Sequence, residues 1–235
     1  MNVAVIRFPG SNCDLDVVHA LQSTVGVKPR LIWHERDDIG RFDAVILPGG
    51  FTFGDYLRAG AIAARSPSIS KIRRMADQGK PVLGICNGFQ ILVEAGMLPG
   101  SLLRNDGLKF VCKWVNVRVD STRTPFTRLA KKNQVFQMPV AHGEGRFFSS
   151  QEEIKRLVRE GRVVLRYVDA LGRPTGDGNP NGSLSNIAGI CSEEGNVMGL
   201  MPHPERASDP LLSPSGSSDG SLLFSSMGCS DLGAG

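Results

Sequence analysis

The chain has 235 residues, 41% hydrophobic and 21% charged, with a formal net charge of +4. These proportions describe a globular chain that buries roughly 70% of its unfolded surface, and they exclude disordered, collagenous and membrane-embedded classes. The 27 basic and 23 acidic residues are interspersed, so no basic stripe with aromatic platforms points to nucleic acid.

The first half alternates apolar runs with helical patterns, the signature of a parallel sheet flanked by helices. NVAVIRF is the first strand, and PGSNCD leads from it into DLDVVHALQSTVG, where Leu15, Val18, Leu21 and Gln22 suggest a helix ended by Gly26. RLIWHE and FDAVILPGG follow as strands, then a helix over 56–79 broken near Pro67, then the buried strand PVLGI and the helix GFQILVEAG. After Gly100 the period changes. FVCKWVNVRVD alternates as a half-buried antiparallel strand, and SSQEEIKRLVREG is a helix capped by Ser149 or Ser150. VVLRYV is a strand before a Gly/Pro/Asn loop, and IAGICSEEGNVMGLMPHPE reads as a hairpin around EEGN. SLLFSSM makes a short helix, and residues 228–235 are expected to fray. The expected fold class is therefore α/β, one domain over 1–227 with a mostly parallel sheet, helices on both faces and additional antiparallel strands.

No apolar run approaches the roughly 20 residues of a spanning helix, and the strand at the N-terminus has no signal-peptide pattern, so a cytoplasmic location is expected. The five cysteines are widely spaced without a CxxC pair, which predicts neither structural disulfides nor a metal site. Four of them, Cys13, Cys112, Cys191 and Cys229, read as small buried hydrophobes.

Cys86 is different. Gly84 and Gly88 flank it in GICNG, between a buried strand and a helix, as in the nucleophile elbow of hydrolases with sulfur in place of oxygen. So tight a turn holds the nucleophile in a strained backbone and leaves no room for neighbouring β-carbons. The helix start stabilises a thiolate, and its free amide groups, that of Asn87 included, face any oxyanion formed beside the sulfur.

A thiol nucleophile needs a base, and the chain has four histidines. His19 and His34 sit in a helix and near a strand end. His203 in MPHPER is the best placed, because Glu205 two residues on projects to the same side of an extended backbone and can fix the imidazole tautomer. His142 with Glu144 is a rival pair, less constrained because Gly143 separates its members. The glycines of FDAVILPGGF follow a strand at the carboxyl edge where doubly wound sheets bind ligands, so the Gly50 amide could join that of Asn87. An elbow of this kind also serves peptidase-like and glyoxalase-like cysteine enzymes, and a non-catalytic regulatory subunit is a further alternative.

GICNGFQ, PGGF and HPE in this order resemble the nucleophile elbow, oxyanion loop and His-Glu pair of the triad-type glutamine amidotransferases. The resemblance runs from residue 1 to about 227. It implies a flavodoxin-like sheet and hydrolysis of glutamine to glutamate and ammonia, with Cys86 forming a γ-glutamyl thioester, His203 moving protons while Glu205 orients it, Gly50 and Asn87 holding the oxyanion, and Gln90 helping to hold substrate, the alternative for Gln90 being an exposed helix residue. The longer runs PGGFTFGDYLRAGAIAA, VAHGEGRF, NPNGS and MPHPER resemble the branch of the family that serves purine biosynthesis. That branch implies two partners, a large ATP-dependent synthetase subunit that makes formylglycinamidine ribonucleotide and a small bridging subunit. Asp55, Tyr56 and Arg58 are candidates for docking or gating, with ordinary surface salt bridges as the alternative. With no GxxxxGK[ST] in the chain, ATP and Mg²⁺ are expected only on the synthetase, with no cofactor here.

Overall fold

The computed structural model describes all residues except 25, 37 and 230–235. Eleven strands are present among them: β1 (Asn2–Arg7), β2 (Lys28–Trp33), β3 (Ala44–Leu47), β4 (Val82–Ile85), β5 (Ser101–Leu103), β6 (Val111–Val119), β7 (Val135–His142), β8 (Arg146–Phe148), β9 (Val163–Val168), β10 (Ile187–Cys191) and β11 (Val197–Leu200). The helices are α1 (Asp14–Gln22), α2 (Pro67–Asp77), α3 (Asn87–Glu94), α4 (Gln151–Arg159) and α5 (Ser221–Gly228).

Nine strands form one sheet in the order β2-β1-β3-β4-β11-β10-β9-β6-β7, while β5 and β8 pair separately. The five strands from β2 to β11 are mutually parallel, and the pairings from β11 outward to β7 are antiparallel. The chain moves one way along the sheet from β1 to β2 and the other way from β3 to β4. Right-handed crossovers therefore set α1 and α2 on opposite faces. Strands β3, β4 and β11 are buried at every position, as parallel strands covered on both faces must be.

Several local expectations change in the fold. Leu15 is exposed, and α1 turns Val17 and Ala20 inward together with Leu21, with Asp14 buried in an ion pair with Arg7 at its start. No helix starts at Tyr56. Residues 52–55 form a kinked turn in which Phe53, Gly54 and Asp55 have positive φ, as does Leu57, and α2 begins only at Pro67, whose fixed φ and missing N–H suit a first helical position. Ser150 is the cap of α4, accepting from the Glu153 amide at 3.1 Å. The hairpin around EEGN is β10–β11, with Gly189 opposite Leu200. Of the tail expected to fray, residues 230–235 lie outside the described residues, and Gly228 ends α5.

The core is one cluster spanning both halves. Phe89 on the helix after the elbow stacks on Phe147 of β8, with ring centroids 6.4 Å apart. That contact ties the small β5–β8 sheet, and the 142–145 loop before it, over the edge where β4 ends.

Candidate active site

Cys86 follows the last residue of β4 and precedes α3, with φ 50° and ψ −105°. A non-glycine residue holds that conformation only when its surroundings impose it, at a cost of order 1–3 kcal/mol. Both flanking glycines have a physical cause. A Cβ on Gly84 would meet Gly88 O and Leu92 Cδ1 at 2.6 Å, and one on Gly88 would meet Leu47 O at 2.0 Å. The helix therefore lies directly on β3 and β4. The Cys86 amide bonds to Leu200 O of β11 at 2.8 Å, which pins the elbow to the next parallel strand.

That strand delivers the imidazole. Leu200 lies beside Ile85 in the sheet, so His203 emerges from β11 at the same edge as Cys86 emerges from β4. Its amide donates to Pro139 O at 2.9 Å. His203 itself is extended, and Pro204 then opens a short 3-10 turn, Pro204–Ala207, that holds Glu205. The pair meets across this bend rather than along a continuous strand, with His203 Nδ1 2.6 Å from Glu205 Oε1 and both side chains buried. Burial opposes a charged ring, but the Glu205 carboxylate, followed by the nearby Cys86 and Cys13 thiols, outweighs it and holds the imidazole well above its ordinary range. Nδ1 is committed to the carboxylate, while Nε2 is buried and makes no hydrogen bond. The Cys86 thiol is close enough to act on the ring electrostatically without a hydrogen bond to Nε2, as is common before substrate tightens a site. Its one hydrogen-bond acceptor is Ala141 O, at 3.7 Å.

Gly50 and Ser11 face each other in an isolated antiparallel bridge. The flanking bonds run from Asn12 N to Gly49 O and from Phe51 N to Gly10 O, so the Gly50 N–H stays outside the ladder. Its φ of 154° suits glycine, and a Cβ would meet Gly10 O at 2.6 Å. The Asn87 amide is the first of α3 and has no helical acceptor. The Asn87 side chain is buried, accepting from Thr52 N at 3.2 Å and donating to Gln90 Oε1 at 2.8 Å. Gln90 is buried and not on an exposed helix face. Its Nε2 donates to Glu144 O at 2.6 Å.

His142 and Glu144 do not pair. The His142 ring lies between Asn105 Oδ1, 3.1 Å from Nδ1, and Asn181 Nδ2, 3.5 Å from Nε2. Burial, reinforced by the charge of His203, pushes its pKa down to about 4, so the ring is neutral near neutrality. The Asn181 amide also donates to Gly145 O at 2.8 Å. VAHGEGRF and NPNGS are therefore two sides of one lock. The pairing of Asn105 and Asn181 with a histidine from another loop had no signal in local sequence.

Residues 1–226 match the CobB/CobQ-like glutamine amidotransferase domain. The chain belongs to that glutamine amidotransferase family. Among curated relatives, this amidotransferase is 54% identical over 227 residues to the phosphoribosylformylglycinamidine synthase subunit PurQ of Thermomicrobium roseum, covering 97% of this chain and 95% of that one. It is 51% identical to PurQ of Methanosarcina acetivorans, covering 97% of each. A solved structure, PurLQS from Thermotoga maritima, aligns with a TM-score of 0.84 at 43% identity, covering 96% of each chain.

The strained turn of this amidotransferase borders the site. Asn87 Nδ2 donates to Asp55 Oδ1 at 3.4 Å, and the Glu144 carboxylate takes the Ala59 amide at 3.3 Å. Tyr56 and Leu57 project into solvent, Leu57 at 92% exposure, while Arg58 forms two bonds of 2.6 Å to Glu94. Burial first, and the Glu144 charge second, raise the Asp55 pKa to about 6, against the Asn87 hydrogen bond. The folded chain then holds this proton to higher pH than the unfolded chain, so Asp55 stabilises on acidification through pH about 6 and that contribution is lost as pH rises. Asp55→Asn is expected to flatten the fall in stability between pH about 5 and about 7. Denaturant unfolding at both values reads this directly, and an unchanged difference between them refutes the assignment.

Proposed function

We propose that this chain is the glutaminase subunit of a phosphoribosylformylglycinamidine synthase, built as one amidotransferase domain over 1–227. Cys86, His203 and Glu205 are its catalytic residues. The observation that carries the reading is one sheet edge holding a strained thiol at a helix N-terminus beside a buried imidazole whose Nδ1 is fixed by a carboxylate.

The chemistry follows from that geometry. His203 Nε2 takes the thiol proton, and the Cys86 sulfur attacks the side-chain amide carbon of glutamine. Negative charge develops on the amide oxygen, which the Gly50 and Asn87 amides hold. His203 returns a proton to the leaving nitrogen, ammonia departs and a γ-glutamyl thioester remains. Water, deprotonated by the same ring, hydrolyses the thioester to glutamate and restores the thiol. Glu205 keeps Nδ1–H oriented and stabilises the imidazolium throughout. Gln90 borders the substrate, positioning Asn87 on one side and the 144 backbone on the other.

Ammonia then passes to an ATP-dependent synthetase subunit that converts formylglycinamide ribonucleotide to the amidine, with a small bridging subunit completing the complex. The relatives named PurQ and the fold of the PurLQS structure support this assignment. ATP and Mg²⁺ belong to the synthetase, and the complex is cytoplasmic. No helix among the described residues is long and apolar enough to cross a membrane. Glutamate release by this chain, with and without the synthetase subunit, tests the reading: release that rises when the synthetase is present supports it, and no release in either case overturns it.

A further inference from the structure

Cys13 is a second thiol at the same sheet edge, and the acid–base cycle does not use it. Its sulfur, one ring nitrogen of His203 and one carboxylate oxygen of Glu205 all lie within 4.8 Å of one another, and all three residues are buried. A Cβ on Gly49 would stand 3.1 Å from that sulfur, 2.7 Å from His203 Cε1 and 3.4 Å from Nδ1. The thiol and the ring thus both pack against Gly49. His203 Nε2 and Glu205 Oε2 are buried without a hydrogen-bond partner among the described residues. Buried polar groups are rarely left so: Glu205 Oε2 gives the trio a ligand atom its internal bonds do not use, while Nε2 is the nitrogen available to Cys86.

We propose that Cys13, His203 and Glu205 bind a borderline or soft divalent cation, zinc foremost, and that its binding switches glutamine hydrolysis off. The inhibitory half of this rests on the role of His203 given above. A sulfur, a nitrogen and an oxygen are the donors that zinc takes at about 2.0–2.3 Å, whereas Mg²⁺ and Ca²⁺ favour all-oxygen cages. One thiolate and one carboxylate neutralise a dication. On binding, the Cys13 S–H proton and any proton on Nδ1 pass to solvent, and the sulfur, Nδ1 and a Glu205 oxygen each donate a lone pair to the metal. Burial holds the Cys13 thiol above its ordinary range, against the hydrogen bond to His203, so the metal has to displace its proton; Arg206 Nη2, 3.2 Å from the sulfur, favours the thiolate that results.

Inhibition follows from the tautomer. With the metal on Nδ1, the proton of the neutral ring resides on Nε2, so the nitrogen available to Cys86 can donate but not accept. The metal also takes Glu205 away from the ring. A cleft of about 430 Å³ opens beside Glu205 and Arg206, with Asp16 and His19 on its wall.

Cadmium, a soft analogue with an ultraviolet thiolate charge-transfer band, probes the site in the full chain. The exposed Cys112 is first replaced by serine in every protein compared. The band is expected in this background and in its Cys86→Ala derivative, and to weaken with Cys13→Ser. In glutaminase assays with buffered zinc, each protein scaled to its own zinc-free rate, Cys13→Ser is expected to need at least about tenfold more metal for half inhibition. A band that survives Cys13→Ser but disappears with Cys86→Ala places the metal on the nucleophile and overturns the proposal, as does equal zinc sensitivity of parent and Cys13→Ser. Because the band is read without turnover, failure of the glutaminase reading leaves the metal test intact. Should Cys13→Ser not fold, the Cys86→Ala titration alone still decides, since loss of its band refutes the site.

Discussion

Cys86→Ala is expected to abolish glutamine-dependent amidine formation by a factor of about 10⁴ or more, while the assembled complex continues to work with added ammonia. The size follows from covalent catalysis: without sulfur no thioester forms, and hydrolysis is left to direct attack of water on a stable amide, a much harder step than attack on a thioester. The contrast with ammonia follows from the division of labour, since the synthetase chemistry needs the nitrogen and not its source. Alanine removes one sulfur from a position that is already strained, so the fold and the complex should persist. Glutamate release and amidine formation, measured side by side with each nitrogen donor, check the expectation. Retained glutaminase activity sinks the nucleophile assignment, and equal loss with both donors shows that the substitution damaged assembly instead.

His203→Asn should slow thioester formation by about 10³–10⁴, the scale for losing the base of a triad. An asparagine keeps a polar side chain beside Glu205 but cannot accept and return a proton near neutral pH. His142→Asn is the informative partner experiment. Its ring bridges Asn105 and Asn181, and burial holds it neutral, so its replacement should cost stability, about 1–3 kcal/mol for buried polar groups left unpaired, and leave the chemical step comparatively intact. Rapid-quench measurement of the enzyme-bound glutamyl species, together with denaturant unfolding of both variants, separates the two effects. A crippled chemical step in His142→Asn with a normal one in His203→Asn reverses the assignment of the base.

Much of this was legible because the constraints are local. Hydrophobic patterning gave most of the strands, though not β5, β7 and β8, and the Gly-x-Cys-x-Gly spacing announced a turn in which helix backbone lies against strand backbone, a clash visible at Gly84 and Gly88. The two-residue spacing of His203 and Glu205 placed their partnership, though the route is a proline-led turn and not an extended strand. The stretch 56–66 misled because helix-compatible composition carries no trace of the tertiary contacts that force Phe53, Asp55 and Leu57 into positive φ. Gln90 looked like an exposed helix residue because its acceptor, the Glu144 carbonyl, comes from 54 positions away.

By itself, the sequence determined most of the element types, the candidate nucleophile and the pairing of imidazole with carboxylate, all of which arise among residues a few positions apart. Only the tertiary structure decided that β11 lies beside β4, which brings His203 to Cys86, that His142 is held by two asparagines, and that Cys13 stands at the same ring. Strand order and loop packing are settled by burial summed over the whole core, and no window of neighbouring residues contains that sum.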